Sequence, residues 1–206
     1  LFARSNMAYK SDPEKKVAIV GGGGWGTALS VLLGEAVLQG TKSLDVHLWV
    51  MEADLAERIG RERINVQYLP GAKIPVPVKV SSVIEDVVTD AELVVFAVPS
   101  QYFRAAVQGA APHLSREILV CSVAKGIEIG TFSRMSEVLH EELRVPKKKI
   151  AVLSGPSHAE EVSVGKTTAV VTASSSSALA DYVQEIFSTQ TFRVYTARDV
   201  RGVEYG

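Results

Sequence analysis

Residues 17–29 read VAIVGGGGWGTAL, a buried-strand run, a glycine turn and a helix start in direct succession. The apolar residues Val17, Ala18, Ile19 and Val20 suit a central parallel strand, and Ala28, Leu29, Leu32, Leu33, Ala36 and Val37 recur at helical spacing after the turn. One register satisfies the G-x-G-x-x-G pattern. It gives Gly21 the tight turn, Gly23 the close approach of backbone to phosphate, and Gly26 the packing of helix on strand. Starting one residue later would put Thr27 in the last glycine position. Amides at the new helix N-terminus then face outward with the positive end of the helix dipole behind them, which is what a pyrophosphate requires.

The rest of the chain bounds what such a turn can serve. With 206 residues and 47% hydrophobic content there is material for one large α/β core. A net charge of -1 supplies no basic field for nucleic acid, and no apolar run approaches the ~20 residues that span a bilayer. A small-molecule partner is expected, with neither nucleic acid nor membrane. Lone Cys121 has no internal disulfide partner and sits in the apolar run 118–121, so a buried reduced thiol and a reducing, cytoplasmic setting are expected.

Strand-like runs recur at 46–50, 93–98, 118–123, 150–153 and 168–171, with a short strand at 78–80 and a last one at 192–195. Helices are expected at 53–63, 101–111, 132–143 and 178–187, and the polar loop 174–177 supplies an N-cap. Pro70, Pro75 and Pro77 make their stretch a loop or edge. The alternation predicts a Rossmann-like, doubly wound, mainly parallel sheet with helices on both faces. Residues 1–15 read as a flexible leader, with Met7 a possible start, and 16–198 as the dinucleotide-binding domain. Residues 199–206 stop without a helix cap or closing motif, as the start of a truncated further domain would.

Ligands of open α/β sheets bind beyond the carboxyl ends of the strands, so the residues following each run are candidates. Glu52 follows the second strand, where an acid receives ribose hydroxyls or simply starts a helix. With no Arg directly after that strand, NAD is favoured over NADP. After 93–98, Ser100 is read as a helix cap. After 118–123, Lys125 beside Gly126 is placed to hold a phosphate or polarise a carbonyl. After 150–153, the turn Gly155-Pro156-Ser157-His158-Ala159 opens a helix whose amides could meet ligand. His158 is either a general acid or an exposed helix-start histidine. No metal-ligand spacing and no nucleophilic triad is present in the sequence.

The segments GGGGWGTAL (21–29), NVQYLPG (65–71), VPS (98–100), KGIE (125–128), SGPSHAEEV (154–162) and GVE (202–204) together resemble NAD-dependent glycerol-3-phosphate dehydrogenase over nearly the whole chain beyond Lys15. Members of that family pass hydride between glycerol 3-phosphate and dihydroxyacetone phosphate through a nicotinamide cofactor. The resemblance implies NAD as cofactor, with Gly24 and Trp25 at its phosphates beside Gly21, Gly23 and Gly26, Met51 near the adenosine end, Tyr102 flanking, and Ala159 on the nicotinamide side. It implies a catalytic Lys125 touching both substrate and cofactor, and Gly155 and Ser157 near the substrate phosphate. His158 stands where an aromatic residue is often found, which weakens a catalytic role for it. Family members continue past this Gly206 into an all-helical domain carrying the proton-exchanging lysine. The resemblance thus implies a cofactor domain that is inactive alone and homodimeric when full length. Other dehydrogenases of 6-phosphogluconate, hydroxyacyl-CoA or ketopantoate share the glycine turn, but NVQYLPG and KGIE argue against them. A dinucleotide-binding sensor without turnover is the alternative of another class.

Overall fold

The computed structural model describes residues 15–206. The leader expected over residues 1–15, including Met7, lies outside the described residues except for Lys15, which begins the first strand. In chain order the elements are β1 (Lys15–Val20), α1 (Gly24–Leu38), β2 (Leu44–Trp49), α2 (Ala53–Glu62), β3 (Ile64–Asn65), β4 (Leu69–Lys73), β5 (Lys79–Ser81), α3 (Ile84–Val88) and β6 (Leu93–Phe96). Then follow α4 (Ser100–Ala110), β7 (Leu119–Ser122), α5 (Met135–Leu143), β8 (Ile150–Ser154), α6 (Ala159–Ser163), β9 (Thr168–Ser174), α7 (Ser177–Phe187), β10 (Phe192–Ala197) and α8 (Val200–Tyr205).

Eight strands form one sheet in the order β10-β9-β8-β7-β6-β1-β2-β5. Alternation along β1 explains its two-sided core. Val17 and Ile19 join a cluster with α1, α2 and α7, whereas Ala18 and Val20 join one with α3, α4 and α5. Helix α1 is apolar nearly all round because it is covered twice, by the sheet and by α6 and β4. The chain leaves β1 toward β2 on one side and returns through β6 on the other, so β1 and β6 flank the point where strand order reverses. A crevice outside their carboxyl ends follows from that topology.

The sheet is mainly parallel, as expected, but β9 pairs antiparallel with β8 and carries β10 with it. The reason lies in α6. Its five residues rise about 7 Å, too little to return the chain along the roughly 16 Å of β8, so the next strand starts at the carboxyl end and runs back. The proline-rich stretch expected to be a loop or edge contains the two-stranded hairpin β3–β4, with exposed Pro70 on it. The helix expected from 132 begins only at Met135, because Phe132 has a left-handed φ of 58°. The short α3 escaped the periodicity analysis, five residues being less than two turns.

Two capping expectations met different fates. Ser176 caps α7, its hydroxyl accepting from the Leu179 amide at 3.4 Å. Ser100 does not cap α4: Pro99 occupies the N-cap position, and the Ser100 hydroxyl instead accepts from Gln101 Nε2 at 3.1 Å. The stretch from 199 holds α8, and Asp199 caps its start by accepting from Gly202 N–H at 3.0 Å. Glu204 of α8 reaches the α5 start, pairing with Arg134 and accepting from the Ser136 amide at 2.8 Å. Both side chains of that pair are only 8% exposed. Without Glu204, Arg134 would keep Glu137 as a carboxylate partner, and without Arg134 the Glu204 carboxylate would keep only the Ser136 amide and hydroxyl. Cys121 is fully buried in β7, and burial pushes its thiol far above the ordinary range.

Candidate functional site

At the carboxyl ends of β1 and β6 the glycine turn is built by two kinds of requirement. Gly21 has φ +124°, and a Cβ on it would lie 2.7 Å from the Ala97 carbonyl oxygen; one on Gly26 would lie 1.9 Å from the Gly21 oxygen. The fold itself therefore demands glycine at both positions. Gly23 differs: its backbone is extended (φ -69°, ψ -178°), and a Cβ there would meet no protein atom within 4 Å. A glycine that no neighbouring atom requires, at the N-cap of α1, leaves a space open to a ligand. No side chain caps α1 and its first turn carries no acid, so the amides and dipole of this 15-residue helix are directed at that space.

Two clefts flank the turn. The larger, about 630 Å3, is bounded by Gly21, Gly23, Met51, Glu52, Tyr68 and Tyr102. The smaller, about 470 Å3, is bounded by Gly24, Trp25, Lys125, Ser157, His158 and Ala159. Gly23 and residues 97–99 border both, so the clefts continue into one another across the turn. An elongated ligand of two end groups and a charged middle matches that shape.

In the larger cleft, Met51 and Tyr102 are each 70% exposed and offer apolar surface. Glu52 sits at the N-cap of α2 but makes no cap bond; its Oε1 accepts from the Tyr68 hydroxyl at 2.8 Å. That hydrogen bond to a carboxylate raises the Tyr68 pKa. Nearby cations are engaged elsewhere. Arg58 pairs with Glu62, Arg61 with Glu57, and Arg63 donates to the carbonyls of Ile74, Pro75 and Val78.

In the smaller cleft, Lys125 is exposed and its Nζ donates to the Gly155 carbonyl oxygen at 3.1 Å. The Ser157 hydroxyl donates to the same oxygen at 3.3 Å. Lys125 and Ser157, which follow two different strands, thus converge on one acceptor, the Gly155 carbonyl. Trp25 packs its ring on Phe192 at 6.4 Å between centroids, which fixes the floor beside Ala159. His158 is exposed at the N-cap of α6 and makes no capping bond. Gly26 is buried behind the turn, where it packs helix against strand.

Side chains not singled out in the sequence hold this site. Asn65 is fully buried and donates to the Gly22 carbonyl at 2.8 Å. Gln101 clamps the loop after Lys125 through Ile127 O at 2.9 Å and Ile129 N–H at 3.0 Å. Arg104 forks onto both oxygens of Glu128 at 2.8 Å and also binds Glu141 and Glu142. The available signal was an uncharged amide, Asn65, between the apolar Ile64 and Val66, and an acid, Glu128, three residues after a candidate lysine. Among the described residues, no three metal-ligating side chains converge, and no helix is long and apolar enough to cross a membrane.

A mainly parallel sheet with a glycine turn and uncapped helix start at its reversal point is the framework of a Rossmann-like dinucleotide-binding domain. Residues 16–180 match the family model described as NAD-dependent glycerol-3-phosphate dehydrogenase N-terminus, and the chain belongs to that family. The glycerol-3-phosphate dehydrogenase [NAD(P)+] of Pelodictyon phaeoclathratiforme is 47% identical over 190 residues, 91% of this chain and 55% of that protein. That of Carboxydothermus hydrogenoformans is 44% identical, over 93% of this chain and 55% of the other. The chain spans about half the length of the curated relatives it matches. The crystal structure of glycerol-3-phosphate dehydrogenase from Coxiella burnetii superposes with a TM-score of 0.83 at 32% identity, covering 93% of this chain and 56% of that one. A ketopantoate reductase from Ralstonia eutropha gives 0.66 at 23% identity over 92% and 58%, a likeness of fold alone.

Proposed function

We propose that this chain binds NAD(H) across the crevice at β1 and β6, as the cofactor-binding portion of an enzyme that interconverts sn-glycerol 3-phosphate and dihydroxyacetone phosphate. The observation that carries the reading is Gly23: the turn keeps a glycine where the protein needs none, in front of unpartnered helix amides. Gly21, Gly23 and Gly24 would line the pyrophosphate, Met51 and Tyr102 the adenosine end, and Trp25 and Ala159 the nicotinamide end. When bound, the dinucleotide supplies or accepts the hydride. Glu52, already oriented by Tyr68, would accept from the adenosine ribose hydroxyls and disfavour a 2'-phosphate, so NAD is the preferred form.

Lys125 is the catalytic residue contributed by this portion. Its ammonium stands at the mouth of the sheet, hydrogen-bonded to Gly155 and able to turn toward a substrate phosphate or carbonyl oxygen. Gly155 and Ser157 position that phosphate. Reduction of the carbonyl develops negative charge beside a dianion, so a second cationic group and a proton donor are needed. The family resemblance assigns the proton to a downstream lysine in an all-helical domain, toward which α8 would lead. On this reading residues 1–206 alone bind cofactor but turn over dihydroxyacetone phosphate negligibly.

Calorimetric titration of the chain with NADH tests the cofactor assignment. Gly23→Val should stay folded, because the backbone is extended and the space is open, yet lose NADH binding. Unchanged affinity in a folded Gly23→Val variant would remove the turn from the site.

A further inference from the structure

A segment made of glycines has no side chains with which to hold its own peptide planes, so something outside the turn must orient them. Asn65 on β3 does this through three bonds. Its Nδ2 donates to the Gly22 carbonyl at 2.8 Å and to the Thr27 hydroxyl at 2.9 Å, and its Oδ1 accepts from the Tyr68 amide at 3.2 Å. The Tyr68 amide can only donate and the Gly22 carbonyl can only accept, so the orientation of the Asn65 amide is fixed by its partners. The side chain is 0% exposed. Burying a polar group so completely is costly unless its bonds are made, and here they are.

The Gly22–Gly23 peptide is trans, like every peptide bond among the described residues. In a trans peptide the carbonyl and the N–H point in opposite directions. Holding the Gly22 oxygen toward Asn65 therefore turns the Gly23 N–H away from it, on the side of the turn that borders both clefts. The Gly23 amide donates to no group among the described residues. Thr27 is on the first turn of α1, so the same side chain also ties the glycine turn to the helix whose amides face the cleft.

We propose that Asn65 is the positioning residue of the phosphate cradle: by fixing the Gly22 carbonyl it presents the Gly23 N–H to the pyrophosphate of a dinucleotide. This rests on the NAD(H) reading and adds a residue that acts through the backbone rather than by touching ligand. Its effect should fall mainly on the phosphates. Adenosine, which lacks them, is reached by Asn65 only through the Tyr68 amide and should depend on it far less.

The test compares ADP-ribose, NADH and adenosine as ligands of the wild-type chain, Asn65→Ala and Asn65→Asp, together with their melting temperatures. Loss of one hydrogen bond to a charged group weakens binding by about tenfold to a hundredfold, and that loss is expected for ADP-ribose and NADH in both variants, with a clearly smaller change for adenosine. Asn65→Asp should be the worse, since a carboxylate cannot donate to the Gly22 oxygen and adds negative charge behind the turn. A purely structural role would lower the melting temperature and leave ADP-ribose affinity of the folded protein as it was, which would overturn the proposal. An equal loss for adenosine would also overturn it. If neither variant folds, nuclear magnetic resonance of the wild-type chain decides: the Gly23 amide proton should shift on adding ADP-ribose and not on adding adenosine, and an unmoved signal would refute the idea. Failure of the wild-type chain to bind NADH or ADP-ribose at all would instead remove the NAD(H) reading itself.

Discussion

At the turn between β1 and α1, the contacts that set the backbone are neutral: steric necessity at Gly21 and Gly26, and the buried amide of Asn65 on Gly22. Across the cleft, the loop that carries Lys125 is held by charge. Arg104 of α4 grips Glu128 with a two-toothed fork, and Glu141 and Glu142 of α5 share the same guanidinium. This second loop includes positive φ at Gly126, Gly130 and Phe132, with exposed apolar side chains at Ile129 and Phe132. A neutral, buried lock ignores salt and pH, whereas a partly exposed ionic clamp yields to both. The difference fits the tasks proposed for the two sides. Phosphate recognition by backbone amides needs a rigid frame, and a lysine that must meet substrate and cofactor in turn gains from an anchor that holds the loop while its ammonium makes only an exposed bond to the Gly155 carbonyl.

The largest effect expected from breaking this comparison is at Lys125. In the full-length protein, Lys125→Met should lower turnover of dihydroxyacetone phosphate by about a hundredfold or more, as loss of an electrostatic contact to developing charge commonly does. ADP-ribose affinity should stay unchanged, because the proposed site puts that ligand on the glycine side. Normal turnover in a folded Lys125→Met protein would take Lys125 out of the mechanism, and a parallel loss of ADP-ribose binding would show that the two sides are not independent.

Glu128 sharpens the contrast at intermediate size. The Arg104 fork and then the Thr131 hydroxyl hold its carboxyl down at about 2, against an ordinary 4.5. A depressed folded value stabilises the loop fully above pH 4.5, and that stabilisation is lost as pH falls toward 2. The protection factor of the Ile129 amide, bonded to Gln101, should therefore fall across that window while the Thr27 amide, bonded to Gly23 O at 3.0 Å, keeps its protection. Glu128→Gln should reproduce the loosening at neutral pH and cost about tenfold in full-length turnover, the amount one charge-assisted bond contributes. Equal exchange in both segments through the acid range would dissolve the distinction.

The smallest effect concerns cofactor choice on the glycine side. Competition between NADH and NADPH should favour NADH by about fivefold at most, the scale of a single solvent-screened charge repulsion. Glu52 is oriented by Tyr68, and Arg58 and Arg61 are each already paired one turn away on α2. Equal or tighter NADPH binding would contradict the role given to Glu52, and Tyr68→Phe should narrow the preference by freeing that carboxylate.

The order of strands and helices, the glycine register and the candidate positions at strand ends were legible because each depends on residues near in sequence. Val17 to Val20 repeats with a strand's burial, Ala28 to Ala36 with a helix's, and Gly21, Gly23 and Gly26 occupy set places between them. What escaped depended on residues far apart. Asn65 meets Gly22 from 43 positions away, and Arg104 meets Glu128 across 24. Ser100 had the residue type of a cap and was displaced because the rigid φ of Pro99 took the N-cap position. Local propensity and periodicity determined which segments became strands, turns and helices and which strand ends could meet a ligand. Only the tertiary structure decided which side chains hold those ends in place, because a hydrogen bond or ion pair between distant residues is selected by the packing that brings them within about 3 Å, and no spacing along the chain encodes that distance.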